Sequence, residues 1–350
     1  MDIGMLSPGF PPDPGGVPKV AGDLARQLSM RGERVMVLTH GRVPSDERPL
    51  NGLTVRRFRP YLGRFAFSPA LAACLRRTAV SVWHAHAVHS SLPALAWLEG
   101  ARPYVLTPHF HGKGHTPLAK LAHVPYAPLL QKVVAGAAAV VAVSESEAAL
   151  LSQRFNVPVS VIPNGVDLGR LAKITRTDRK REFIGVLVVA RLVPYKRVDL
   201  CVHALKHLPP HFRLIVQGQG PQRAELVQLA KTLGLEHRVE LREEYVADED
   251  LWQLISDADV LVNLSEAEAF SVAVLEALAL GTPVVVSDKM ALAEWARKFP
   301  ADVQAVATDD PKTIAAVVQS VAGTRVAPDL RRYDLAALVE QLVDIYDRVI

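Results

Sequence analysis

The sequence predicts an α/β protein of two Rossmann-like domains facing each other across a deep cleft, and three observations carry that prediction. Short runs rich in β-branched residues alternate with helical patterns almost from end to end, as in parallel sheets built from βαβ units. The 350 residues are long for a single core, and domain sizes favour two domains of roughly 150 to 180 residues. The turn PNGVD (Pro163 to Asp167), followed by the basic run ITRTDRKRE (Ile174 to Glu182), separates two series of strands. Pro and Asn-Gly punctuate a turn, and the charge run has no apolar stripe to bury, so it reads as a linker.

The first series of strands is Ile3 to Leu6, Val35 to Thr39, Val82 to His86, Tyr104 to Thr107, Val140 to Ser144 and Val159 to Ile162. The second is Ile184 to Ala190, Arg213 to Gln217, Val239 to Leu241, Val260 to Leu264, Val284 to Ser287 and Val303 to Val306. Ligands of such sheets collect at the carboxyl ends of the strands, here the cleft. A last helix over Leu330 to Ile350 carries Leu335, Leu338, Val339, Leu342 and Ile345 at helical spacing and must bury that stripe.

With 49% hydrophobic and 22% charged residues the chain is an ordinary globular protein. A net charge of +4 is too small to argue for nucleic acid, though anionic small molecules or lipid headgroups suit it. Cys74 and Cys201 are far apart and next to no metal-ligand pattern, so they read as buried small hydrophobes in a reducing compartment. The start MDIGMLSPGF lacks a basic leader and a long apolar core, and no apolar run approaches the ~18 residues of a membrane span. A cytoplasmic location, at most peripheral to a membrane, is the expectation.

Three stretches can carry chemistry. In SPGFPPDPGGVPKVAGDLARQL, a Pro/Gly-rich loop feeds a helix and puts Gly15 and Gly16 where backbone N–H groups can approach an anion. The dinucleotide fingerprint G-x-G-x-x-G is absent, and a strand-to-helix loop with no ligand explains the stretch as well. In VVARLVPYKRVDL, Arg191 leaves a strand end and Lys196 follows five residues later; a fork donor and a point charge there can clamp a diphosphate, or be two solvated surface cations. In SEAEAFSVAVLEALALGTPVVVSD, Glu268 sits in a loop and Glu276 follows in a helix starting near Ser271, with Val272, Leu275 and Ala279 as its buried stripe. A carboxylate beside that stripe can accept ribose hydroxyls, Glu268 can hold sugar hydroxyls, and the N–H groups of Phe270 and Ser271 can point at phosphate. Simple acid preference for a helix N-terminus explains Glu266, and explains the position of the other two acids but not their apolar setting.

EAFSVAVLEALALGTPVV closely resembles the E-x7-E element of the family 4 retaining glycosyltransferases of the GT-B fold. ARLVPYKRVD resembles their donor-phosphate motif, VIPNGVD their interdomain turn and PGFPPDPGGV their N-terminal glycine loop, in the right order over almost the whole chain. The resemblance implies a retaining, metal-independent transferase moving a hexosyl group from a nucleotide sugar to a hydroxyl acceptor, which could be a glycan, a lipid or a small metabolite. It implies an acceptor-binding domain over residues 1–166, joined by a C-terminal helix (336–350) that crosses back, and a donor-binding domain over 167–335. Arg191 and Lys196 would neutralise the departing diphosphate, where such a reaction most needs stabilisation. Glu276 would bind the ribose, and Glu268 with the amides of Ala269, Phe270 and Ser271 would grip the sugar. Base recognition is expected at the backbone near Glu244 and Tyr245.

The histidines of VLTPHFHGKGH suggest zinc by their short spacing, but no acid or cysteine is near. The TPH match selects His109 as the family's histidine near the donor sugar, leaving His111 and His115 as acceptor-side or loop residues. DAD (Asp257 to Asp259) sits at a helix-to-strand junction and reads as a structural turn, so no metal is expected. The chain departs from the family at Ala269, where Gly is frequent, at GQGP (Gly218 to Pro221) in place of GDGP, and at DKMALAEW in place of Gly-Gly. Donor identity is therefore open. Acceptor contacts are sought at Phe65, Phe67 and the segment His109 to Tyr126. Arg56, Arg57, Arg59, Arg64, Arg76 and Arg77 form either a surface for anionic membrane or a solvated face. A sugar-nucleotide epimerase of the same fold and a non-catalytic sugar-nucleotide-binding protein are the competing functions.

Overall fold

The computed structural model describes residues 1–61, 67–112, 128–177 and 182–350. Arg64, Phe65, Gly114, His115, much of the segment His109 to Tyr126 and four residues of the basic run lie outside the described residues. The chain forms two compact units, one of Met1–Gly165 with Arg332–Ile350, the other of Val166–Arg331.

The first unit is built from β1 (Asp2–Ser7), α1 (Gly16–Met30), β2 (Arg34–His40), β3 (Ser45–Leu50), β4 (Leu53–Phe58), α2 (Pro69–Arg77), β5 (Val82–His86), α3 (Ser91–Leu98) and β6 (Tyr104–Thr107). There follow α4, described over 128–135, then β7 (Ala139–Ala142), α5 (Glu145–Phe155) and β8 (Ser160–Val161). Its sheet has the order β3-β4-β2-β1-β5-β6-β7-β8, parallel except for β3. The C-terminal helix, Leu335–Val349, belongs to this unit. It starts five residues later than predicted; of the predicted stripe Leu338, Val339, Leu342 and Ile345 are buried, joined by Tyr346, while Leu335 at its first turn is half-buried, and Val339, Leu342 and Tyr346 share a core with Leu24 and Leu28 of α1. The Arg31 fork meets both oxygens of Glu340 at 2.7 and 2.9 Å.

The second unit contains α6 (Leu168–Leu171), β9 (Ile184–Val189), α7 (Val198–Leu205), β10 (Phe212–Gln217), α8 (Arg223–Thr232), β11 (Val239–Arg242), α9 (Asp248–Asp257), β12 (Val260–Asn263), α10 (Val272–Ala279), β13 (Val284–Ser287), α11 (Met290–Lys298), β14 (Val303–Val306) and α12 (Pro311–Val321). Its six strands are parallel in the order β11-β10-β9-β12-β13-β14. Counted from β9, that is the doubly wound order 3-2-1-4-5-6, whose direction of winding reverses between β9 and β12. Val186, Val188, Val260, Val262 and Val285 face one core layer of this sheet with Val198 and Val202 of α7.

Every strand read from the sequence is present, its ends shifted by at most two residues. The hairpin β3–β4 was not anticipated. SDERPL is polar because β3 is an exposed edge strand, and Pro is tolerated there; LTVRRF alternates, burying Leu53, Val55 and Arg57. This corrects the basic segment. Arg57 is 9% exposed and donates to Glu47 and to the carbonyls of Phe10 and Pro11. Arg56 pairs with Asp46 and Arg76 with Glu99, so these cations do not form one unpaired surface. The linker reading is corrected too: Arg176 pairs with Asp259, and Thr177 donates twice to Asp257, at 2.7 and 2.8 Å. Asp259 Oδ2 also accepts from the Gly185 N–H at 2.7 Å. The DAD acids thus fasten the incoming chain to β9, a structural duty. Cys201 is buried, Cys74 half-buried, and both are free thiols. Among the described residues no helix is long and apolar enough to cross a membrane.

Candidate active site

Two loops of the second unit leave adjacent strands at the point where the winding reverses. The first follows β9. Leu192 is fully buried and anchors it, while its backbone is tied to the loop after β10: Ala190 N–H to Gln217 at 3.1 Å, Leu192 N–H to Gln219 at 2.8 Å and Gln222 N–H to Leu192 at 3.1 Å. With Leu192 inward, its neighbour Arg191 is exposed. A 3₁₀ turn, Pro194–Lys196, then leads into α7. Arg191 donates to the Tyr195 hydroxyl at 2.6 Å, and Lys196 Nζ lies 5.3 Å from the centre of the same ring. Tyr195 therefore spaces the two cations, and its carbonyl accepts the Glu266 N–H at 2.8 Å, joining this loop to the second one.

That second loop follows β12. Ala267 and Phe270 are buried, Phe270 against the edge of Trp295, whose indole N–H donates to the Phe270 carbonyl at 2.7 Å. Ser287 Oγ donates to the Ser265 carbonyl at 2.6 Å. These anchors set Ala269 and Ser271, both half-buried, ahead of α10. Ser271 has φ of 76°, a left-handed conformation that costs a side-chain-bearing residue about 1–3 kcal/mol and needs outside support. The first N–H groups of α10 have no intrahelical partner by construction, which makes this end receptive to an anion.

Lys196 and Glu268 meet in an ion pair whose side chains are 13% and 15% exposed. Burial pushes the Glu268 carboxyl upward, but the Lys196 cation and polar neighbours, the Asn263 amide among them, prevail and hold it below its ordinary value. The sequence treated these residues as a phosphate ligand and a sugar ligand; the structure makes them one electrostatic unit. Glu266 turns away to Arg197, which also pairs with Asp199 and Asp309.

Glu276 is 2% exposed and accepts from the Trp252 indole N–H at 2.8 Å. The predicted stripe of α10 is corrected here. Val272 and Ala279 are half-buried, whereas Val274 to Leu278 are all buried, because neighbouring elements cover the helix on most sides, α9 carrying Trp252 among them. Tyr245 lies on the loop after β11 and is 55% exposed. Gln217 Nε2 donates to the neighbouring Glu244 carbonyl at 2.8 Å, and Gln219 Nε2 to that of Glu243.

The remaining sequence candidates belong to the first unit. Gly15 and Gly16 are exposed at the start of α1; Gly15 has φ of 130°, and a Cβ on Gly16 would meet nothing within 4 Å. His109 follows β6 with φ of 49°. Its Nε2 lies 3.2 Å from His86 Nδ1, while His84 bridges the Tyr346 hydroxyl at 2.7 Å and Thr107 Oγ1 at 2.8 Å. Burial lowers all three imidazoles, His84 to about 3, His109 to about 4 and His86 well below its usual range. Glu147, fully buried, fixes the backbone beyond His109 by accepting the Phe110 N–H, and accepts the Val143 N–H at 2.7 Å. Desolvation raises its carboxyl to about 8 despite those two donors. Among the described residues no group of three His, Cys, Asp or Glu side chains is placed to hold a metal ion.

The histidines set a pH dependence. Their folded-state values lie below the ~6.5 of an unfolded histidine, so their stabilising contribution is complete above pH ~6.5 and is lost as pH falls toward 4. The urea midpoint is expected to drop across that window, and to drop less in His84→Gln. Glu147, with its carboxyl raised to about 8, opposes this trend, so the decisive result is the comparison: a drop as large in His84→Gln as in the wild type would refute the neutral cluster.

Two family profiles tile the chain: Glycosyltransferase Family 4 over residues 14–170 and Glycosyl transferases group 1 over residues 172–333. The chain belongs to the family 4 glycosyltransferases. This glycosyltransferase is 27% identical over 335 residues to a phosphatidylinositol N-acetylglucosaminyltransferase subunit of Arabidopsis thaliana, across 90% of this chain and 73% of that protein. Sucrose-phosphate synthase from Thermosynechococcus elongatus superposes with a TM-score of 0.84 at 20% identity, covering 99% of this chain and 98% of that one. Anabaena HepE in complex with UDP and glucose gives 0.77 at 20% identity, over 99% and 100% of the two chains. These structural likenesses establish the fold, two parallel-sheet α/β domains of the GT-B type.

Proposed function

We propose that this glycosyltransferase is a retaining, metal-independent hexosyltransferase that takes its sugar from a nucleoside diphosphate hexose and passes it to a hydroxyl acceptor. The observation that carries the donor reading is the convergence of Arg191, Lys196, Glu268 and the start of α10 at the reversal between β9 and β12. Ligands of doubly wound sheets bind there. Arg191 and Lys196 take the diphosphate, whose charge grows as the sugar departs, so cations fixed there lower the barrier more than they tighten the ground state. Glu268 and the amides of Ala269 to Ser271 hold the hexose, Glu276 the ribose, and the backbone near Tyr245 the base. Gly15, Gly16 and His109 complete the proposed set, His109 beside the donor sugar. The acceptor, whether glycan, lipid or small metabolite, is assigned to the first unit. The surface around Arg59 and Arg77 is proposed to meet anionic membrane if the acceptor is a lipid, and the cytoplasm is the proposed compartment.

Thermal shift with UDP, GDP, ADP and dTDP and their hexoses, without metal, tests the donor reading. One nucleotide series is expected to raise the unfolding temperature of the wild type and to lose that effect in Glu276→Ala. Arg191→Ala is expected to lower kcat/KM at least tenfold, about 1.4 kcal/mol. Stabilisation by no nucleotide, or full turnover in both variants, would remove the assignment. Product analysis on the active donor separates transfer from epimerisation.

A further inference from the structure

Asn263, the last residue of β12, is 8% exposed and was given no part by the sequence. Its carboxamide uses every hydrogen-bonding position it has. The Ser265 backbone N–H can only donate, and at 3.1 Å it fixes Oδ1 on its own side; Ser265 Oγ lies 2.5 Å from the same oxygen. Nδ2 is thereby turned to Glu268 Oε1 at 3.2 Å and Ser271 Oγ at 3.0 Å. Ser265 Oγ also stands 3.1 Å from Glu268 Oε1, but its one hydrogen favours the shorter contact, leaving Lys196 and Asn263 as the donors on Oε1. Among the described residues no hydrogen bond reaches Oε2.

We infer that Asn263 is a positioning residue: it holds Glu268 by one oxygen so that the other, Oε2, is presented to hydroxyls of the donor hexose, and it sets Ser271 at the start of α10. The inference rests on the reading of Glu268 as the sugar-binding acid. A single amide so couples the acid to the left-handed serine that begins the helix, and keeps the carboxylate ionised beside Lys196. Lys196 is the charged group facing this carboxylate, since Glu266 is turned to Arg197 and Glu276 to Trp252.

The test uses Asn263→Ala and the near-isosteric Asn263→Asp in the full chain. Carbon-13 NMR of side-chain carboxyls, with the Glu268 resonance assigned by its loss in Glu268→Gln, reads the geometry without substrate. Removing the amide donor leaves burial less opposed, and Asp adds a like charge. The Glu268 titration is therefore expected to move to higher pH in Asn263→Ala and further in Asn263→Asp. With the nucleoside diphosphate hexose selected by thermal shift, kcat/KM is expected to fall tenfold or more in both variants, its acid limb moving up in parallel. The affinity of Asn263→Ala for the corresponding free nucleoside diphosphate stays within threefold of wild type. An unmoved Glu268 titration in both variants overturns the inference, as does wild-type kcat/KM in variants whose fold survives. Full activity of Glu268→Gln would instead overturn the reading of Glu268 on which it rests.

Discussion

Lys196→Ala is expected to lower kcat/KM for hexosyl transfer by two to three orders of magnitude, about 3–4 kcal/mol of transition-state stabilisation. The magnitude follows from its place at the proposed diphosphate position, largely shielded from water and already oriented by Glu268 and the Tyr195 ring. The same substitution strips Glu268 of its cation, and a second effect on stability follows. In the wild type the Glu268 carboxyl lies below its ordinary value, so its stabilising contribution is present above the unfolded value of ~4.3 and lost as pH falls through the lower folded one. Without Lys196, burial is opposed by neutral donors alone, so the folded value is expected to rise and that contribution at neutral pH to shrink. Urea unfolding should thus separate the two proteins most at pH 7 and least below pH ~4. Lys196→Ala/Glu268→Gln should recover the neutral-pH stability without recovering transfer. If the double variant regains transfer, neither the Lys196 cation nor the Glu268 carboxylate serves the reaction, and both assignments fall. Lys196→Arg is expected to keep the charge and lose much of the rate, because a planar fork does not replace a point charge held against one carboxylate oxygen.

The period of the hydrophobic pattern made the two sheets legible, since buried parallel strands must be apolar on both faces and stand out as continuous runs. β3 did not stand out: an exposed edge strand is polar and carries Pro49, which reads as loop. The same limit hid Arg57, whose fork satisfies two loop carbonyls and an acid that only the hairpin brings near. At the site, the residues with charge were found and their partners were not. Motif spacing marks Lys196 and Glu268 separately, 72 residues apart, and no periodicity says that the reversal of winding between β9 and β12 closes that gap. Asn263, Trp252 and Trp295 carry no motif at all. Each acts by a hydrogen bond to a neighbouring element, Asn263 to Glu268, Trp252 to Glu276 and Trp295 to Phe270. A buried indole N–H or amide needs a partner, and that requirement is the signal a sequence reading could have followed from an otherwise unexplained Trp in an amphipathic helix.

Gly218→Ala is expected to destabilise the second unit by ~3 kcal/mol or more, among the larger effects available to a single methyl group. A Cβ at residue 218 would stand 1.9 Å from the Ala190 carbonyl oxygen and 2.9 Å from its carbon, and the φ of 152° disfavours any side chain. Gly220 meets the same limit, 2.3 Å from the Leu192 carbonyl oxygen. The atoms in the way are backbone, so no rotamer change relieves the overlap; the loop after β9 must move. That loop carries Arg191, proposed to take the diphosphate, so in whatever fraction folds kcat/KM is expected to fall along with stability. Gln219, between the two glycines, is the control. Its side chain is exposed and donates to the Glu243 carbonyl, so Gln219→Ala should cost no more than ~1 kcal/mol and leave kcat/KM within threefold. Urea unfolding and transfer assays on the two variants decide between this account and one in which GQGP matters for its middle residue. If Gln219→Ala is the more damaging change, the loop serves by contact and not by close approach of two backbones. If Gly218→Ala is the more damaging, the departure from GDGP has a reason: the glycines are required by the carbonyls of Ala190 and Leu192, and the side chain between them is free to vary.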